Sequence, residues 1–263
     1  MGLAFFPLGM SWAGLASSAT ALFLGSALFA GLGMGGGLVY RPTLLLLGWD
    51  PHLALSTSCL LVTVSGVVAG LVFSKFSLAD KTLALILGFS AAAGSFLGGM
   101  CAPSIPTLWL SAFTSVGILA ALGLSEWGRH RLEEPRRSDK EDAAPPRPPR
   151  SLVRELGGHR YTLPLFTVVP VALVTGFSSS WIGIGGGLLM VPILSGPLKV
   201  PIKVAVGTSA WVVILIGVTS TIGHAVGGSF AGWAVLPLVP AVAAGAGLGA
   251  FFSSRLKGKT LHG

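Results

Sequence analysis

Apolar residues along this chain fall into long runs separated by short polar stretches. A run of about 20 apolar residues is long enough to cross the hydrocarbon core of a bilayer as a helix. The long runs, each predicted to be a transmembrane helix, cover residues 14–32, 53–73, 83–100, 108–124, 161–182, 204–225 and 231–252. They do not alternate between apolar and polar positions, as the strands of a membrane β-barrel would. The pattern predicts an all-α integral membrane protein with about seven long transmembrane helices.

Two shorter apolar runs, residues 38–47 and 188–198, each follow a cluster of glycines. A helix rises about 1.5 Å per residue, so runs of this length cannot cross a core of about 30 Å unaided. Each glycine inside a helix costs about 1 kcal/mol relative to alanine, so the clusters are expected to interrupt the helix. We predict a long helix, a break and a half-helix at both places.

The two glycine-broken segments are copies of one another. Residues 33–44 and 183–194 share seven identities in twelve positions at an offset of 150. Each copy then reaches a hydroxyl-rich segment, here called the polar knot, at residues 54–58 and, at an offset of 151, at residues 205–209. The similarity continues to Gly94 and Gly98, which match Gly245 and Gly249 and are expected to form close helix contacts within one protomer. A duplicated unit this long is typical of a two-fold membrane architecture.

Composition supports a membrane environment and divides the chain into three parts. Hydrophobic residues make up 52% of the chain and charged residues 10%, against about 25% charged in a typical soluble domain. Residues 126–160 are different, with nine Lys or Arg, seven Asp or Glu and five Pro, and are predicted to be an extended or disordered cytoplasmic linker. The predicted divisions are a first repeat with a connecting helix (1–125), the linker (126–160) and a second repeat (161–263).

The positive charges predict which loops face the cytoplasm, since Lys and Arg are concentrated in cytoplasmic loops. The net charge of +8 lies in loops between apolar spans, so nucleic acid is not an expected partner. With the linker inside, the other clustered bases also fall inside, namely Lys75, Lys81, Lys199, Lys203, Arg255, Lys257 and Lys259. The N-terminus and the loop around Asp50 then lie outside. In this count the copies have inverted topology; if the half-helices are re-entrant instead, the copies run parallel.

The glycine break, a proline five residues later and the polar knot, all present twice across a charged loop, resemble the sulfite exporter TauE/SafE family of membrane permeases. The resemblance covers nearly the whole chain except the linker. The first copy departs from the second in having Ser56 where the second has Gly207, and Arg41 where the second has Val191. The resemblance implies transport, with export the expected direction, of sulfite or small organosulfur anions such as sulfonates. It does not specify the anion.

The glycine breaks are candidate anion sites in their own right. A helix that starts at a break presents backbone N–H groups without intrahelical partners, together with the positive end of the helix dipole. Such a terminus binds anions, and glycine lets an oxyanion approach the backbone closely. The candidate residues at the two breaks are Gly35, Gly36, Gly37, Gly185, Gly186 and Gly187. The alternative is that these glycines only allow helices to cross closely.

Hydroxyls and two basic side chains complete the candidate site. The polar knots contribute the candidate ligands Ser56, Thr57, Ser58, Thr208 and Ser209, with simple N-capping as the alternative. Arg41 stands inside an apolar run, where a guanidinium suits sulfonate oxygens, although it could instead extend to the cytoplasmic edge. His224 is a candidate proton relay, with a structural or interfacial role as the alternative.

Several classes of function are excluded or left open. All nine Asp and Glu residues lie in predicted loops, which argues against an enzyme with intramembrane acid–base chemistry. No nucleotide-binding or metal-binding motif occurs, so no cofactor or metal is expected. The expected partners are the lipid bilayer and a small sulfur-containing anion, with a homodimer as a further option. We expect a multi-pass protein of the inner (cytoplasmic) membrane, with an uptake permease or a passive channel for another small anion as the alternatives.

Overall fold

The computed structural model describes residues 12–76, 79–117, 119, 123, 151–156, 159–195, 200, 202–230 and 232–256. In the first repeat the helices are α1 (Trp12–Gly31), α2 (Gly37–Leu46), α3 (Pro51–Lys75) and α4 (Lys81–Cys101). A 3-10 turn at Ala102–Ser104 leads to α5, which is helical over residues 107–117. In the second repeat they are α6 (Leu165–Ile182), α7 (Gly187–Ser195), α8 (Ile202–Val226) and, after a 3-10 helix at Gly232–Leu238, α9 (Val239–Leu256).

The described helices account for the apolar runs of the sequence. Four segments are long and apolar enough to cross a membrane, namely Pro51–Lys75, Lys81–Ser104, Val204–Val226 and Val235–Arg255. Ala16–Gly31 and Phe166–Ile182 are shorter apolar helices. The predicted half-helices correspond to α2 and α7, and the later part of the run at 108–124 lies largely outside the described residues. The chain is therefore a helical, multi-pass membrane protein.

The prediction was wrong at the junction between the linker and the second repeat. Strand β1 (Ser151–Leu156) pairs antiparallel with strand β2 (His159–Pro164), so α6 begins at Leu165 and not at residue 161. Two physical preferences explain the difference. Gly-Gly between two short runs favours a two-residue hairpin turn, and the residue before a proline is restricted to extended conformations. Residues 126–150 of the predicted linker lie outside the described residues.

Helices α3 and α8, which are equivalent in the two repeats, pack against each other in opposite directions. Successive contacts move forward along α3 and backward along α8, through Cys59 with Ser220, Thr63 with Gly217, and Gly66 with Val213. The contacts centre on the middle of both helices. This arrangement is the one expected of two helices that are related by a two-fold axis through their crossing point.

Glycines set the remaining contacts between the repeats. The backbone carbonyl groups of one helix occupy the space that a Cβ would need, in the pairs Gly94 with Leu173, Gly98 with Phe177, Gly245 with Phe23 and Gly249 with Ala27. The first two pairs join α4 to α6, and the last two join α1 to α9. Applying the repeat offsets converts one set into the other. The prediction that these glycines form close contacts within the protomer is confirmed.

Candidate functional site

The two glycine breaks pack against each other between α3 and α8. Before α2 begins, Gly36 has a φ of 83°, and before α7 begins, Gly186 has a φ of 74°, a left-handed conformation that favours glycine. The backbone of Gly183 fills the place where Gly37 would carry a Cβ. The backbone of Gly33 does the same at Gly187. Glycine is therefore required for the two breaks to approach this closely.

The polar knots hold the breaks by exchanging hydrogen bonds between the repeats. The Ser58 hydroxyl donates to the carbonyl oxygen of Gly183 at 2.7 Å. In the equivalent contact, the Ser209 hydroxyl donates to the carbonyl oxygen of Gly33 at 2.9 Å. Each serine thus satisfies a backbone carbonyl that is left without a helical partner by the other repeat's break. These two candidate ligands have structural hydrogen bonds.

The other hydroxyls of the knots have different surroundings. Ser56 donates to the carbonyl oxygen of Leu53 within α3, at 3.1 Å. The Thr208 hydroxyl accepts from the backbone N–H of Asp80 at 3.1 Å. Thr57 is buried, and its hydroxyl has no hydrogen-bond partner among the described residues. The knots lie inside α3 and α8, and Asp50 is the N-cap of α3, so simple N-capping does not explain the hydroxyls of the first knot.

Arg41 points into the protein and is fully buried, so it does not extend to the cytoplasmic edge. Its Nη1 group donates to the carbonyl oxygens of Trp181 at 3.2 Å, Ile182 at 3.3 Å and Leu110 at 3.4 Å. The first two carbonyls belong to the last turn of α6, where helical carbonyls lack intrahelical partners. Arg41 of the first repeat therefore binds beside the break of the second repeat.

The charge of Arg41 is not balanced by a described side chain. Its Nε and Nη2 atoms are buried and have no hydrogen-bond partner among the described residues, and no described carboxylate forms an ion pair with it. Burying a cation without a partner costs several kcal/mol. The Nε and Nη2 groups of the guanidinium can therefore donate hydrogen bonds to a ligand that reaches them.

His224 lies at the same end of α6. The imidazole is fully buried near the end of α8, and its Nε2 atom lies 3.3 Å from the carbonyl oxygen of Ser180. Its Nδ1 atom has no partner among the described residues. Arg41 and His224 together thus bind three consecutive carbonyl groups, those of residues 180, 181 and 182.

A chain of smaller polar groups, missed by the sequence analysis, connects to His224. The Ser180 hydroxyl lies 2.7 Å from both the carbonyl oxygen of Ser95 and the hydroxyl of Ser220. The Ser220 hydroxyl lies 3.3 Å from the Sγ atom of Cys59. We call the whole group the polar cluster; its members are Arg41, Cys59, Ser95, Ser180, Ser220 and His224. It draws residues from both repeats.

The positions equivalent to the polar cluster are apolar. Applying the repeat offsets to its members gives Val191, Ala210, Ala246, Ala30, Ala69 and Phe73. These six residues belong to one buried hydrophobic cluster, which also contains Val206 and Ala250 and is here called the apolar cluster. Positions that are polar in one copy and apolar in the other are the sequence signal that could have identified the polar cluster.

Within the described residues, no group of three or more His, Cys, Asp or Glu side chains could hold a metal ion. The chemistry that the site offers is that of buried donors: the free Nε and Nη2 groups of Arg41 and the hydroxyl of Thr57. Donors of this kind bind oxygen atoms of anions. No described contact joins Thr57 to Arg41, so these two candidate ligands are not brought together directly.

Comparison with known proteins agrees with the helical membrane fold. The chain is 28% identical over 247 residues to a Bacillus subtilis (strain 168) protein named probable membrane transporter protein YunE, covering 88% of this chain and 85% of that protein. It is 26% identical over 229 residues to a probable membrane transporter protein of Xylella fastidiosa (strain Temecula1), covering 86% and 79%. No solved structure shows significant similarity. Residues 18–263 match the family described as sulfite exporter TauE/SafE. The chain therefore belongs to the sulfite exporter TauE/SafE family.

Proposed function

We propose that this transporter exports sulfite or a small organosulfonate across the inner membrane, and that Arg41 binds the anion. The observation that carries the proposal is the fully buried guanidinium with two unpartnered nitrogen atoms and no described counter-ion. A cation inside a membrane protein is costly unless it is paired, and an intramembrane arginine marks a substrate pathway by default. The planar guanidinium fork fits the oxygen atoms of a sulfite or sulfonate group.

The repeats are proposed to have inverted topology. Support comes from the antiparallel crossing of α3 and α8 and from the equivalent glycine contacts of α4 with α6 and of α9 with α1. The exchanged bonds of Ser58 and Ser209 obey the same two-fold relation. Inverted repeats commonly provide transporters with two related conformations around one central site.

The two clusters are proposed to form the two halves of the pathway. Arg41 lies in α2, which runs from the break toward the loop at Asp50, so the polar cluster lies on the Asp50 side of the breaks. The apolar cluster includes Phe73, close to the end of α3 at Lys75. With the basic loops inside, the polar half faces out and the apolar half closes the cytoplasmic side. If the two halves exchanged their packing arrangements, the site would open toward the other side of the membrane, and the anion would cross.

Export needs no coupling ion under this arrangement. An anion that leaves the cytoplasm moves down an inside-negative membrane potential, worth about 2.3 kcal/mol per charge per 100 mV. Arg41 supplies fixed positive potential along the path. A proton relay through His224, which would couple flux to a pH gradient, is the competing account, since His224 belongs to the same polar cluster.

The test is anion flux in proteoliposomes that contain the purified full-length protein, with an imposed potential. We expect Arg41→Gln to lower sulfite flux about 10- to 100-fold, because it removes charge-assisted hydrogen bonds to the anion. Arg41→Lys should restore part of the flux, since it keeps the charge but loses the fork. The matched control is Arg255→Gln, which removes the same charge from an exposed side chain that stacks on Phe251.

The outcomes of this experiment distinguish the proposed uniport from the competing accounts of transport. Wild-type flux in a well-folded Arg41→Gln protein would reject Arg41 as the anion ligand. Flux that ignores the membrane potential but requires a pH gradient, and that His224→Ala abolishes, would replace the uniport account with a proton-coupled one. Unsaturable ohmic currents would indicate a channel.

A further inference from the structure

The hydrogen bond that His224 makes to α6 determines which of its ring nitrogen atoms can accept a further hydrogen bond. Its Nε2 atom lies 3.3 Å from the carbonyl oxygen of Ser180, and a carbonyl oxygen only accepts. The proton of the neutral imidazole is therefore on Nε2, which leaves a lone pair on Nδ1. Nδ1 is buried and has no partner among the described residues. The polar cluster consequently contains a free acceptor.

Free donors lie at the same helix end. Arg41 binds the carbonyl oxygens of Trp181 and Ile182 and keeps Nε and Nη2 unpartnered, while His224 binds the carbonyl of the preceding residue, Ser180. The carbonyl groups that the two side chains bind belong to consecutive residues, so both side chains lie at the same end of α6. The end of α6 thus has two donor atoms without a described partner, Nε and Nη2 of Arg41, and one such acceptor atom, Nδ1 of His224.

A fully deprotonated oxyanion fits only half of this arrangement. Its oxygen atoms accept from Arg41 but would face the Nδ1 lone pair, which is repulsive and leaves a buried acceptor unpaired. An oxyanion with one remaining O–H group satisfies both sides, because its charged oxygens accept from Arg41 and its hydroxyl donates to Nδ1. Such an anion carries one negative charge, which matches the single charge of Arg41.

We propose that the site selects a singly protonated, monovalent oxyanion by using Nδ1 of His224 as the acceptor for its O–H group. This inference rests on the proposed function. The described titratable groups on the neighbouring elements are Arg41 in α2 and His52 and Cys59 in α3, and Cys59 accepts from the Ser220 hydroxyl. With the imidazole neutral, its Nδ1 lone pair accepts the hydrogen bond and the proton remains on the anion.

The experiment compares three anions in proteoliposomes at mildly acidic and mildly alkaline pH. Sulfite is mainly hydrogensulfite at the acidic pH, methanesulfonate is also a monovalent oxyanion but has no O–H group, and sulfate is almost entirely a dianion at both pH values. We expect the wild-type protein to prefer hydrogensulfite over methanesulfonate by about 10- to 100-fold, the cost of an unpaired buried acceptor. Sulfite flux should fall at the alkaline pH.

Two variants of His224 test the roles of its two ring nitrogen atoms separately. His224→Gln can keep a donor near Ser180 but lacks an acceptor at the Nδ1 position, so the preference for hydrogensulfite over methanesulfonate should fall toward one. His224→Asn places a carbonyl near the Nδ1 position and should keep most of the preference. The comparison of the three anions in the wild-type protein needs neither variant.

The outcomes distinguish this inference from the proposed function. Equal wild-type flux of methanesulfonate and hydrogensulfite, or sulfate flux as high as hydrogensulfite flux, would overturn the selection by His224 while leaving anion transport intact. A His224→Gln protein that keeps the wild-type preference would overturn it as well. Failure of the wild-type protein to move any of the three anions would reject the proposed function itself.

Discussion

At the scale of single residues, Thr57 and Thr208 offer a matched comparison. They are equivalent in the two knots and both are buried, but Thr208 accepts from the N–H of Asp80 while the Thr57 hydroxyl has no described partner. A buried hydroxyl without a partner is destabilising, and its O–H group can donate a hydrogen bond to an oxygen atom of an anion. Replacing it with the isosteric valine should therefore affect the two positions differently.

We expect Thr208→Val to lower stability by about 1 kcal/mol, because it removes the hydrogen bond to Asp80. Thr57→Val should leave the melting temperature unchanged or slightly raised, yet reduce anion flux if the hydroxyl binds substrate as the sequence predicts. Thermal unfolding in detergent and flux in proteoliposomes measure the two effects. A Thr57→Val protein with normal flux would remove Thr57 from the set of anion ligands.

Sequence reasoning found the unusual residues but not their partners. Arg41 is recognisable because it is a base inside an apolar run, where burial is costly. Its partner Trp181 is 140 positions away, and nothing local indicates that the side chain turns toward α6. Ser95, Ser180 and Ser220 were missed for a related reason, since an isolated serine in a membrane helix usually bonds to its own backbone.

At the scale of helices, two glycines of α9 test how the repeats are joined. A Cβ at Gly249 would collide with the backbone of Ala27 in α1. At Gly247, two residues earlier on the same helix, the nearest atom is a methyl carbon of Val68 at 3.5 Å, which is ordinary van der Waals contact. A Gly→Ala substitution changes helix propensity equally at the two positions, so the two variants differ only in what the new methyl group contacts.

Gly249→Ala should destabilise the protein, because α1 and α9 must separate to admit the methyl group. Gly247→Ala should stabilise it by up to about 1 kcal/mol, the difference in helix propensity. Fluorescence-detected gel filtration after graded heating compares the two proteins with the wild type. Equal stability of both variants would contradict the close contact between α1 and α9.

The boundaries of helices were predictable where a strong local signal exists. The first half-helix was expected at residues 38–47 and is Gly37–Leu46, since glycines with positive φ end one helix and start the next. The hairpin at residues 151–164 was not predicted, because dense charge and proline upstream suggested a continuous linker. The hairpin is defined by the backbone pairing of Ser151–Leu156 with His159–Pro164, which composition does not reveal.

At the scale of the whole molecule, the two repeats share their backbone contacts but not their side-chain chemistry. Equivalent glycines and serines build both halves. The polar cluster and the apolar cluster occupy equivalent places with opposite character. In the proposed mechanism, a two-fold relation between the repeats provides the framework for two conformations, and the difference between the clusters gives the two sides of the membrane different roles. The topology of the protein in the membrane determines which of the two clusters lies on the cytoplasmic side.

The topology can be tested with two conservative serine-to-cysteine substitutions in a protein lacking Cys59 and Cys101. Helix α4 begins at Lys81, on the side of the basic loops, and the 3-10 turn that follows it ends at the exposed residue Ser104 on the opposite side. We expect a membrane-impermeant thiol reagent added to whole cells to label Ser104→Cys. It should label Ser138→Cys, within the predicted cytoplasmic linker, only after the membrane is opened. The reverse pattern would place the polar cluster on the cytoplasmic side, and Arg41 would then be the first charge that an outgoing anion meets rather than the last.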